Sequence, residues 1–171
     1  GARTSLTLAP WVEISRNAPP TLLIHAMNDP VDDVRHAMAY ALAFARRQPW
    51  MDREMKAGGW QKQPGHALSE RVLGIIGVGN IGKAVARRAR AFGMRVLGND
   101  IVEIDHVFVS ETGIEMTNLK TLLSTCDYVS VNCDLNPGSH HLIGKSEFSR
   151  MKPEAHCGKS DSIWPPSARK R

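Results

Sequence analysis

The sequence predicts an α/β domain with a doubly wound parallel sheet, and three observations carry that prediction. A short β-branched run, Arg71-Val-Leu-Gly-Ile-Ile-Gly77, has the length and composition of a buried strand. A glycine-rich turn follows at once and opens a helix in which Ile81, Val85, Ala89 and Phe92 share one face while Lys83, Arg87 and Arg90 share another. After Gly93 a second strand runs from Met94 to Gly98, so residues 71–100 form one strand–helix–strand unit of about the minimal βαβ length. The crossover of such a unit is right-handed and its two strands are parallel.

The other elements can be justified in chain order. Residues 1–30 hold Pro10, Pro19, Pro20 and Pro30 and read as an irregular lead-in. From Asp32 to Arg47, Val34, Ala37, Met38, Ala41, Leu42 and Ala45 recur at intervals of three and four, the stripe of an amphipathic helix. Asp32 and Asp33 complement its electropositive start, Arg46 and Arg47 its electronegative end, and Pro49 limits its continuation. A second short helix is expected from Trp50 to Ala57, before Gly58-Gly59.

Beyond the central unit, Val107 to Val109 reads as a brief extended piece and Gly113 to Met116 as a third strand. Thr117-Asn118 cap a helix through Ser124, and the alternating, β-branched Asp127-Tyr-Val-Ser-Val131 is a fourth strand. Asn136-Pro-Gly is a turn, and Ser146 to Met151 a short helix stopped before Pro153. From Ala155 onward no period survives. The expected sheet is therefore incomplete, about four strands in the order 3-2-1-4, with the fourth an exposed edge. The expected organisation is an irregular lead-in over 1–30, a partial α/β domain over 31–155 and a disordered tail over 156–171.

Composition narrows the function classes. In 171 residues, 42% hydrophobic and 23% charged, the chain is an ordinary globular one and disorder is excluded as the global description. No run approaches the roughly 18 to 20 apolar residues of a membrane-spanning helix, and the N-terminus lacks a signal pattern, so the expected location is cytoplasmic. The net charge is +5, but Arg150, Lys152, Lys159, Arg169, Lys170 and Arg171 all lie near the C-terminus, so much of the excess belongs to the tail. The Lys83, Arg87, Arg90 stripe reads as a solvated face rather than a nucleic-acid surface. Cys126, Cys133 and Cys157 lack CxxC spacing, and His25, His36, His66 and His106 are scattered without ligand spacing, so no disulfide framework or metal site is indicated. His140 and His141 are adjacent and diverge if extended, which reads as a surface loop pair.

The chemistry lies in Gly77-Val-Gly79-Asn-Ile-Gly82. Alone such a motif is weak. Here it stands between a strand and a helix, and Asp100 falls 18 residues after Gly82 at the end of the next strand, the spacing of a dinucleotide fingerprint. Gly77 permits the tight turn, Gly79 lets the backbone approach a pyrophosphate, and Gly82 lets helix pack on strand. The helix start offers N–H groups and partial positive charge to the phosphates. Asp100 accepts from adenosine ribose hydroxyls and repels a 2′-phosphate, which favours NAD over NADP.

In these residues the chain resembles the NAD-binding domain of the D-isomer-specific 2-hydroxyacid dehydrogenases. The likeness runs in order through Val34 to Arg47, Ala57-Gly-Gly-Trp60, Leu73 to Gly82, Leu119 to Leu135, His141-Leu-Ile-Gly and Met151-Lys-Pro153, covering roughly Val31 to Ala155. The resemblance implies a Rossmann-type fold, NAD(H) as cofactor, and hydride exchange with a small 2-hydroxy or 2-oxo acid. It places Asn80 and Ile81 against the pyrophosphate, Asp100 on the ribose and Cys133 near the cofactor. It also makes residues 1–30 a remnant of the substrate-domain side, and implies a homodimer formed with help from the helical segment before the fingerprint.

One departure bears on activity. After Met-Lys-Pro the family continues into a strand and an Arg that holds the substrate carboxylate, followed later by a Glu-paired His acting as acid and base. Here the chain reads His156-Cys-Gly-Lys-Ser-Asp-Ser-Ile-Trp-Pro-Pro, without that strand, Arg or His, in the manner of a frameshift or truncated reading frame. The expectation is an NAD-binding domain without catalytic residues of its own, which would act on a 2-hydroxy acid only if completed by the missing segments. The rival is a non-catalytic dinucleotide-binding or dimerisation module.

Overall fold

The computed structural model describes residues 30–62, 64–134, 136–152 and 156–158. The lead-in before Pro30 and the tail after Gly158 lie outside the described residues. The strand β1 (Val72–Ile76) forms where β-branched residues cluster, and all but its first residue are buried. It continues through the turn into α3 (Asn80–Ala91) and then β2 (Arg95–Asn99). These follow a helical pair, α1 (Pro30–Ala45) and α2 (Gln48–Lys56). The pair is divided at Arg47, whose backbone is left-handed with φ 53, and Pro49 falls in the first turn of α2, where its missing N–H has no intrahelical role.

Among the described residues five parallel strands make the sheet, in the order β3-β2-β1-β4-β5. The predicted order 3-2-1-4 stands within it. β3 (Glu115–Met116) is shorter than expected, and a double hydrogen bond from Arg95 to Glu115, 2.8 and 2.6 Å, pins it to β2. β4 (Tyr128–Val131) runs beside β1 with Leu73 opposite Tyr128 and Ile76 opposite Val131.

Two expectations are corrected. Residues Val107 to Val109 are not extended but belong to a helix, α4 (His106–Thr112). Asp105 caps it by accepting from the Val107 N–H at 3.0 Å, Gly113 ends it in a left-handed conformation at φ 62, and Phe108 is buried against α3. The second correction concerns the edge. β4 is not the last strand, because β5 (His156–Gly158) pairs with it in parallel, Tyr128 opposite His156 and Ser130 opposite Gly158. The sheet thus extends past Ala155 into a segment that has no periodicity of its own.

Strand alternation sends side chains to two apolar layers. Leu73, Ile75, Val96 and Tyr128 meet Val34, Ala37, Met38 and Ala41 of α1 and Val85 and Ala89 of α3. On the other face Ile76, Leu97, Val129 and Val131 meet Leu122, Leu123 and Cys126, contributed by α5 (Leu119–Thr125) and the residue after it. Ile143 and Met151, flanking α6 (Lys145–Arg150), close that layer. Burial pushes the Cys126 thiol up to about 12, with the neighbouring Asp127 charge adding to it, so it stays protonated and acts as an apolar filler. Helices on both faces leave the carboxyl ends of β1 and β4 open on either side of the point where strand order reverses, the place where such sheets bind ligands.

Candidate dinucleotide-binding site

The turn between β1 and α3 has a backbone that only its own sequence allows. Gly77 sits at φ 87, and its N–H donates to the Asn99 carbonyl at 2.9 Å, tying the turn to the end of β2. A β-carbon on Gly77 would lie 2.6 Å from the Cys133 nitrogen, so the loop after β4 presses directly on the turn. At Gly82 a β-carbon would collide with the Gly77 carbonyl oxygen, which is how closely the helix approaches the strand.

Gly79 differs from both. A β-carbon there would meet nothing within 4 Å, so this glycine faces an open space rather than a packed one. Gly79 is also the N-cap of α3, and no side chain caps that helix start. Its first N–H groups have no partner within the helix and carry the positive end of its dipole. Asn80, the first helical residue, is exposed, and Ile81 is half-buried against the core below.

Asp100 closes the site on the β2 side. Its Oδ2 accepts from the Val78 N–H inside the glycine turn at 2.6 Å, and its Oδ1 accepts from the Val102 N–H at 3.1 Å. Asp100, half-buried, therefore shapes the turn. A carboxylate has about four acceptor positions, so two backbone bonds leave capacity for hydroxyl donors. Cys133 is half-buried at the opposite side of the turn. The structure thus gathers Gly77, Gly79, Asn80, Ile81, Gly82, Asp100 and Cys133 around one turn at the carboxyl end of the sheet.

The sequence reading missed Asn132. Its N–H donates to the Ile76 carbonyl at 2.7 Å, its Oδ1 accepts from Ser130 Oγ at 3.2 Å, and its side-chain nitrogen is buried without a partner. No sequence signal marks this, since the orphaned donor exists only through neighbours brought in by the fold. Other residues gain contacts that the sequence did not show. Lys83 and Arg87 of the basic stripe both lie over the Phe108 ring, 5.3 and 5.1 Å from its centroid, so they pack on α4. His140 and His141 are exposed in a turn, the surface pair expected; with His141 left-handed at φ 60 rather than extended, their rings stack at 3.9 Å.

Turn, open glycine, uncapped helix start and acidic strand end together define a dinucleotide-binding α/β domain. The family description "D-isomer specific 2-hydroxyacid dehydrogenase, NAD binding domain" matches residues 38–157, and the chain belongs to that family; its cofactor is NAD. It is 39% identical over 125 residues to a glyoxylate reductase of Korarchaeum cryptofilum, a match covering 70% of this chain and 37% of that protein. It is 33% identical over 124 residues to a D-3-phosphoglycerate dehydrogenase of Archaeoglobus fulgidus, covering 71% of this chain and 23% of that one. Among solved structures, the D-lactate dehydrogenase of Aquifex aeolicus complexed with NAD and lactic acid superposes with a TM-score of 0.75 at 27% identity, over 82% of this chain and 43% of that one. The chain therefore spans little more than a third of the first of these relatives.

Proposed function

We propose that this chain is the cofactor-holding part of an NAD-dependent dehydrogenase acting on a small 2-hydroxy acid. The observation that carries the reading is the Gly79 opening above an uncapped helix start, flanked by a carboxylate already tied into the same turn. In this reading Gly77 makes the tight turn, Gly79 leaves room for the pyrophosphate, Asn80 and Ile81 lie against it, Gly82 lets the helix pack close to the strand, Asp100 accepts from the adenosine ribose hydroxyls, and Cys133 flanks the cofactor. The Asp100 charge selects NAD over NADP, since a 2′-phosphate would place like charges together.

Bound NAD supplies the carbon that gives or receives a hydride. Turnover also needs a cation for the acid's carboxylate and a base for its hydroxyl proton. The sequence after Met151-Lys-Pro153 has no counterpart of the family's Arg, and neither His140 nor His141 stands in a family-like relation to a Glu or Asp, from which we infer that this chain by itself binds NAD without turning over substrate. Two further parts of the reading follow the family: a cytoplasmic location, and pairing of two copies on the α1–α2 side, where Tyr40, Leu42, Met55 and Trp60 are exposed.

The test is NADH titration by fluorescence on the purified chain and on Asp100→Ala, with a dehydrogenase assay over several 2-hydroxy and 2-oxo acids. Saturable binding, weakened about tenfold or more by the substitution and accompanied by no turnover, is expected. Absence of binding would overturn the cofactor reading. Turnover by the chain alone would overturn the assignment of its missing groups.

A further inference from the structure

We propose that Asn132 is itself a dinucleotide-binding residue, its side-chain amide donating to an oxygen on the nicotinamide half of the cofactor. This rests on the reading that the β1–α3 turn holds NAD, and adds a contact that the glycine fingerprint does not contain.

The position of Asn132 is fixed by its main chain. It follows the last residue of β4, its N–H donates to Ile76 at the end of β1, and its carbonyl carbon would lie 2.9 Å from a β-carbon on Gly77. The side chain is half satisfied. Ser130, itself buried, donates to the amide oxygen at 3.2 Å, which orients the amide and leaves the nitrogen, with two protons to donate, buried and unpartnered. A buried donor without an acceptor is costly and rare, and each instance calls for a reason. A ligand that brings the acceptor is one.

Strand order says which part of the ligand that is. β2, β1 and β4 lie side by side, with Asp100 beyond the end of β2, the glycine turn at β1 and Asn132 beyond the end of β4. A dinucleotide with its adenosine ribose at Asp100 and its pyrophosphate at the turn carries its second nucleoside over β4. That half is rich in acceptors, ribose hydroxyls and a carboxamide oxygen among them. A neutral amide suits them, since it gives a directional bond without adding charge beside the hydride-carrying ring. The nitrogen is sealed from solvent while the residue as a whole is half-buried, so pairing requires rotation of the side chain, which gives up only the long contact to Ser130.

The test separates the two halves of the ligand. NADH and AMP affinities are measured by titration for the wild-type chain, Asn132→Ala and Asn132→Ser, with thermal unfolding of each protein free and with NADH. Asn132→Ala is expected to weaken NADH about 5- to 15-fold, the loss of one hydrogen bond, and to leave AMP unchanged. Asn132→Ser keeps a donor and should recover part of the loss. The unfolding temperature of the free protein should change little, because the lost nitrogen makes no bond there and the lost oxygen makes only the long 3.2 Å contact to Ser130. Unchanged NADH affinity in Asn132→Ala, or equal weakening of NADH and AMP with a steep fall in stability, would overturn the proposal by assigning Asn132 a packing role. A wild-type chain that binds neither ligand would overturn it together with the cofactor reading, whereas NADH binding lost in Asp100→Ala but unaffected in Asn132→Ala would overturn it alone.

Discussion

At the scale of single residues, Gly79 and Gly82 occur in one motif but do separable things. Gly82→Ala pushes a methyl group into the Gly77 carbonyl, which is backbone and cannot swing aside, with the buried Ile75 side chain also close by. The cost should be on the order of 2–4 kcal/mol, read as a lowered urea midpoint. Gly79→Ala meets nothing within 4 Å, and at φ −73 the backbone accepts alanine without strain. Its stability should stay within about 0.5 kcal/mol of wild type, while NADH affinity falls by tenfold or more as the methyl group enters the space left for the pyrophosphate. A Gly79→Ala chain that binds NADH normally would show that the cofactor does not cross this turn. The glycines and Asp100 were legible in the sequence because spacing alone specifies them. The bond from Asp100 to the Val78 N–H and the orphaned amide of Asn132 were not, since both depend on what the fold brings alongside.

At the scale of elements, the segment between α2 and β1 is fastened to the rest of the domain at His66. Its N–H donates to the Ala45 carbonyl at the end of α1 at 3.0 Å, and its Nε2 is 2.8 Å from the Tyr128 hydroxyl at the start of β4. Burial, then the charges of Arg71 and Arg47, hold the His66 pKa below its ordinary 6.5, against weaker opposing effects of Asp127 and Glu70. The unfolded chain therefore binds the proton more readily than the folded one just below pH 6.5, and stability is lost as pH falls from 6.5 toward the folded-state value. Glu115 and Glu147 have lowered pKa values too, held down chiefly by hydrogen bonds from Arg95 and Ser146, but their contributions are lost below 4.5 and do not overlap this window. The unfolding temperature should drop between pH 7 and 5.5, and His66→Gln should flatten that slope. An identical slope in the variant would remove His66 from the account.

The elements also show where sequence reading stops. The β1–α3–β2 unit was legible because its periodicity and its glycines agree. At α4 the valines flanking Phe108 favour a strand locally, and the Asp105 cap, Gly113 and burial of Phe108 against α3 override them. β5 has no local signal, and its pairing comes from the open edge of β4. Removing residues 153–171 should expose that edge, lower the unfolding temperature and produce concentration-dependent association in light scattering. A truncated chain that stays monomeric and equally stable would show that β5 contributes nothing to the sheet.

For the whole molecule, the site and the fold share their fastenings. The Asp100 bond to Val78, the Gly77 bond to Asn99 and the contact between Gly77 and Cys133 join the ends of β1, β2 and β4 through the same turn that would receive the cofactor. A ligand that binds only the folded arrangement stabilises the entire domain, by about 2.7 kcal/mol at a concentration a hundredfold above its dissociation constant. For a domain of this size, that corresponds to a rise of about 5 to 10 °C in unfolding temperature. NADH should produce this shift and AMP a smaller one at equal concentration, since AMP reaches only the Asp100 side. NADPH should produce little, because its 2′-phosphate meets the Asp100 carboxylate, and Asp100→Asn should narrow the gap between the two dinucleotides. Equal shifts with NADH and NADPH in the wild-type chain would mean that Asp100 holds the turn but does not select the cofactor.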